Sequence, residues 1–169
     1  MPTDTLEQLS EINTDIFTAD LLIVLGVLAL VIVYAYTLGK DYNMTMIYAL
    51  YMAIAAMMIT SFWIDAAPAI GPEPYYGEIG MFVVLFLIIF GVVAKNGFSE
   101  PSVVPSSWES AIFATVFTGL FLTAVFMFLP ADVIGSLSPV VRGVLASDLA
   151  LILWPLAPVA LLLGTRGRA

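Results

Sequence analysis

The sequence predicts an all-α integral membrane protein: a helical bundle of four to five transmembrane helices, preceded by an N-terminal amphipathic helix. Three observations carry this. Apolar residues make up 62% of the 169-residue chain and charged residues only 11%, against about 45–50% and about 25% in soluble domains. The apolar residues are gathered into runs that suit a hydrocarbon layer about 30 Å thick. The five Lys and Arg residues all stand outside those runs. At a mean hydropathy of +1.06, the chain has too little polar surface to face water on every side, and the excess needs lipid or a very large partner interface.

Residues 1–19 read as an amphipathic surface helix. Leu6, Leu9, Ile12, Ile16 and Phe17 fall on one stripe, while Asp4, Glu7, Glu11 and Asp15 take the other side. Thr5 and Gln8 have the spacing of a capping box. This segment suits the membrane surface or a partner protein. It carries four acids and lacks a basic n-region, so it does not read as a signal peptide.

Residues 20–169 read as the transmembrane bundle. The first span is about 21–38, with Thr18 as its N-cap. Gly39, Lys40, Asp41 and Asn43 suggest a tight polar turn into a second span, about 44–63. Residues 64–78 suggest a loop, because Pro68, Pro72 and Pro74 oppose regular helix. The third span, about 79–94, is short and needs flanking residues to cross. Ser106 and Glu109 have capping-box spacing ahead of the fourth span, about 108–129, which Pro130 stops. Residues 131–146 are half apolar and broken by Gly135, Pro139 and Gly143, so they read as an interfacial or re-entrant pair of short helices. Ser147 and Asp148 open a fifth span, about 149–163, in which Pro155 and Pro158 predict a kink or local unwinding.

The sparse basic residues predict an orientation. With five spans, Lys40, Lys95, Arg166 and Arg168 share one side and Arg142 lies opposite. Short basic loops stay cytoplasmic, which puts the N-terminus outside and the C-terminus inside a plasma (inner) membrane. The outer side then collects ten acids, from Asp4 to Asp148. A net charge of −8 argues against nucleic acid as a partner. The expected partners are the lipid bilayer, other membrane proteins and further copies of the chain.

The chain has neither His nor Cys, which excludes thiol and imidazole catalysis and metal or cofactor sites built on those ligands. No ionisable residue lies near the centre of a span, where a proton relay or charge-coupled transporter would need one. Asp20, Glu78, Glu109 and Asp148 stand at first turns, where an acid complements the helix dipole. Paired metal-binding acids and a Ser nucleophile with a base partner are not found either. We therefore expect no enzyme and no cofactor.

Two stripes of small residues suggest a helix-packing or oligomer seam, because small side chains let backbones approach closely. They are Ala49, Ala53, Ala56 and Thr60 in the second span, and Thr115, Gly119 and Thr123 in the fourth. The Trp154–Pro155 step, with Pro158, leaves backbone carbonyls without helical donors at membrane depth. That makes Trp154, Pro155 and Pro158 the candidate functional kink.

The layout of residues 20–130 resembles the colicin V production protein family of small bacterial inner-membrane proteins. The likeness rests on Asp20 opening the first span, the Gly39–Lys40 turn, a second span rich in small and aromatic residues, an apolar third span and Gly119 in the fourth. The family's basic–acidic pair is present only as Lys40–Asp41, and its glycine-rich fourth span is reduced to one glycine. The resemblance implies membrane residence and a loose association with export and envelope homeostasis, and no site residues. Taken together, the sequence leads us to expect a non-catalytic scaffold or anchor, with a passive channel or transporter subunit as the alternative.

Overall fold

A computed structural model describes residues 18–38, 40–59, 73–97 and 107–165 of the chain. All regular structure in these residues is helical, in seven elements: α1 (Ala19–Leu38), α2 (Lys40–Ile59), α3 (Pro74–Gly97), α4 (Ser107–Phe126), α5 (Ala131–Ser136), α6 (Pro139–Leu145) and α7 (Asp148–Thr165). Helices α1 to α4 are each long and apolar enough to cross a membrane. Together α6 and α7 form one more candidate crossing, bent by 51° at the short break between them. The chain is thus a multi-pass membrane protein of four to five crossings. The amphipathic segment 1–17, Thr60, Ser106 and the tail after Thr165 lie outside the described residues.

The core sits where α2 and α4 meet their neighbours. Of the four long helices these two are the most buried, while α1 and α3 turn most of their surface outward. The broadest contacts are α2 with α3 and α1 with α4, and α7 adds itself to the outer side of α4. Ile47, Leu50, Phe82 and Leu120 are among the largest side chains fully enclosed. Rings from α3 and α4 interlock. Phe82 packs on Phe121 and Phe128, Phe86 on Phe117 and Phe121, with centroids 5.6–6.1 Å apart. That spacing lies within the favourable range for tilted aromatic pairs.

Three boundaries differ from expectation, each for a physical reason. Lys40, Asp41 and Asn43 do not form a turn; they lie in the first turn of α2. Asn43 is buried, and its Nδ2 donates to the Ala35 carbonyl at 3.3 Å. Ala35 belongs to the last turn of α1, where carbonyls lack helical partners, so this side chain closes the hairpin. Residues 74–78 belong to α3, not to the loop. Pro74 takes the first helical position, where its missing N–H costs nothing and its fixed φ suits the helix. The third crossing thereby reaches 24 residues. Finally, α4 ends at Phe126, and Phe128 and Leu129 donate i→i−3 bonds to Val125 and Phe126 in a tightened last turn.

Candidate functional site at the break in the fifth crossing

The segment 131–146 divides into two unlike helices. α5 has no buried residue. α6 packs into the bundle, with Val141 and Leu145 buried beside Leu122 of α4 and against Leu21 and Val24 of α1. Its start is tied to the start of α1, because the Ser138 amide donates to Asp20 Oδ2 at 2.7 Å. Ser138 is also the N-cap of α6, its Oγ accepting from the Val141 amide. Asp20 therefore does more than face its own helix dipole. It holds a second chain segment in place.

The bend itself falls at Ala146–Ser147, and helix continues through Pro155 and Pro158. Of the two expectations for Pro155 and Pro158, a kink or local unwinding, the unwinding is not seen, since both lie within continuous helix. Helix α6 is only seven residues long. Its end exposes carbonyls that in hydrocarbon must find donors, since each one left unmade costs several kcal/mol. The donors come from neighbouring side chains. Trp154 Nε1 donates to the Val144 carbonyl at 2.7 Å. Thr123 Oγ1 donates to the Leu145 carbonyl at 3.1 Å. Ser147 caps both sides of the break: its hydroxyl donates to Gly143 O at 2.7 Å and accepts from the Ala150 amide at 3.2 Å.

The prolines create the same demand within α7. Pro155 and Pro158 offer no N–H, so the ladder of α7 is weakened between residues 151 and 158. Those missing donors leave the Leu151 and Trp154 carbonyls short, and beside them the Pro155 carbonyl, whose helical donor is the Val159 amide, also accepts the hydroxyl of Tyr51 from the middle of α2. Pro158 is fully buried. The Trp154 indole lies directly on Gly119, where a Cβ would fall inside the van der Waals envelope of the ring. Gly119 thus supplies the clearance that lets Trp154 reach Val144.

The structure brings some of the sequence-derived candidates together and leaves others apart. Gly119 of α4 meets Trp154 of α7, Thr123 of α4 bonds to Leu145 at the end of α6, Pro155 accepts from Tyr51 of α2, and Pro158 is buried. Thr115, on the same stripe, is exposed and bonds back to the Ala111 carbonyl of its own helix at 2.9 Å. Ala49 and Ala53 are fully buried in the core cluster and Ala56 is half-buried. Sequence reasoning missed Tyr51, Asn43 and the Asp20–Ser138 link. A mid-span tyrosine was the available signal for the first, since a buried phenol hydroxyl needs a partner.

Chemically, the arrangement binds the protein to itself. Among the described residues no group of three or more acids could hold a metal ion. Compared with known protein families, characterised proteins and solved structures, the chain shows no significant match to any.

Proposed function

We propose that the chain is a non-catalytic membrane subunit, a scaffold or anchor within a larger envelope assembly, which self-associates or binds other membrane proteins. In this reading it sits in the plasma (inner) membrane with its N-terminus outside and its C-terminus cytoplasmic. The observation that carries the proposal is how the interior polar groups are used. Tyr51, Thr123 and Trp154 each bond to a carbonyl of the broken fifth crossing. The main core is filled by aromatic and aliphatic side chains such as Phe82, Leu50 and Leu120. Such an interior favours a fixed shape over a wet path.

The second reading, a passive channel or transporter subunit, draws on the 51° bend between α6 and α7. Broken helices at membrane depth line many transport sites. One preparation separates the two. The protein extracted in mild detergent is sized in its native state, then reconstituted and assayed for ion and solute flux. The scaffold reading expects a particle larger than one chain and no flux above that of empty vesicles. A lone, well-behaved monomer contradicts it, and a specific flux establishes the channel reading in its place.

A further inference from the structure

Apolar packing gives helix α6 little hold on the bundle. Its seven residues include two buried side chains, Val141 and Leu145, which belong to a small cluster with Leu122, separate from the main core. Beneath it, a cavity of about 160 Å³ separates parts of α6 from α1, α4 and α7, and Val140, Val141, Val144 and Leu145 line that cavity. A void deprives the side chains around it of packing partners. Lipid is as apolar as the interior of a bundle, so hiding two aliphatic side chains gives little drive toward docking. A helix of seven residues is also too short to stand by its own propensity, and α5 before it buries nothing.

The other ties among the described residues are hydrogen bonds from three separate helices. Asp20 of α1 accepts the Ser138 amide at the start of α6. Thr123 of α4 and Trp154 of α7 donate to the Leu145 and Val144 carbonyls at its end. Ser147 differs from these, because it spans the break itself. Its hydroxyl donates to the Gly143 carbonyl and accepts from the Ala150 amide, so it keeps α6 joined to α7 when the other bonds part. Gly143 has no atom within 4 Å of the place a Cβ would take, so nothing packs against the helix there. Segments tied down by few contacts open locally, below the free energy of global unfolding. We propose that α6 is a hinged strap, which pivots at Ser147 and lifts from α1 and α4 as one cooperative unit while the other crossings keep their packing. Lifting uncovers Val141, Leu145 and the cavity to the leaflet that surrounds the start of α1.

Residue-resolved amide exchange of the full-length protein in phosphatidylcholine nanodiscs tests this. The amides from Val141 to Ala146 are expected to share one level of protection, at least about tenfold weaker than that of Leu120 to Ala124 in α4. Asp20→Leu, Thr123→Val and Trp154→Phe each remove one tether, from three different helices. Each should speed every amide from Val141 to Ala146 by one shared factor of about threefold to tenfold, the size expected for a single hydrogen bond within a membrane. The core amides of α2 and α4 should keep their native rates. The conservative changes Asp20→Asn and Thr123→Ser should retain most of the protection of α6. Acceleration confined to the amides beside the lost bond means that α6 does not move as a unit. Acceleration that spreads to the cores of α2 and α4 means that it opens only with the whole bundle. Either result overturns the proposal, as does native protection in α6 equal to that in α4.

Discussion

The Trp154 indole rests on the bare Cα of Gly119 and donates its N–H to the Val144 carbonyl at 2.7 Å. Three helices meet in that contact: Gly119 is on α4, Trp154 on α7 and Val144 near the end of α6. A methyl group on residue 119 has nowhere to go unless the ring moves. Gly119→Ala should therefore destabilise the bundle by about 1–3 kcal/mol, the usual cost of overpacking. The same change should shift Trp154 fluorescence as the indole N–H leaves Val144. Trp154→Ala in the Gly119→Ala background should recover part of the loss, and reversible unfolding of the four proteins in a double-mutant cycle measures that coupling.

The hydroxyls of Tyr51 and Thr123 are a second pair to test. Each bonds to a carbonyl of the fifth crossing, at Pro155 and at Leu145. Tyr51→Phe and Thr123→Val should each cost about 0.5–1.5 kcal/mol, in the range of interhelical hydrogen bonds in membranes. Thr123→Ser should cost less, because the donor is kept. Equilibrium unfolding in mixed micelles measures all three.

Asp20 and Ser138 join the first crossing to the broken one across 118 positions of sequence. Asp20→Leu removes the acceptor, and the Ser138 amide should then exchange with deuterium about tenfold faster through local opening of α6. Asp20→Asn retains an acceptor oxygen and should leave most of the protection in place. Amide exchange in nanodiscs reads both.

Ser110 and Thr118 carry buried hydroxyls without a partner. Removing a polar group that makes no bond should help the fold. Ser110→Ala and Thr118→Val are each expected to be neutral or stabilising by up to about 1 kcal/mol. Thermal denaturation in detergent gives the sign.

The crossings were legible because long apolar runs have few other uses. Their ends were not, where a side chain from elsewhere sets the boundary. The polar cluster Lys40, Asp41 and Asn43 reads locally as a turn. It is helical because Asn43 finds the Ala35 carbonyl across the hairpin. Pro74 reads as a helix breaker, yet position one of a helix tolerates it. Gly119, Thr123 and Trp154 were identified from spacing and from the neighbouring prolines, but nothing local said that they meet. That information lies in the packing of α7 on α4. The break at Ala146–Ser147 was legible as the boundary between the segment 131–146 and a span opened by Ser147 and Asp148, but the donors to its carbonyls, on residues 123 and 154, are distant in sequence and were not.

Helices α6 and α7 are together one candidate crossing, bent by 51° at the break between them, and the proposed orientation requires its two ends to lie on opposite faces of the membrane. The chain has no cysteine, so single cysteines placed at Ser136 and at Thr165 can be labelled in intact membrane vesicles with an impermeant maleimide. The account predicts labelling from opposite faces, with Ser136 on the outer side and Thr165 on the cytoplasmic side. Labelling of both positions from the same face would mean that the chain turns back within the membrane, and would contradict it.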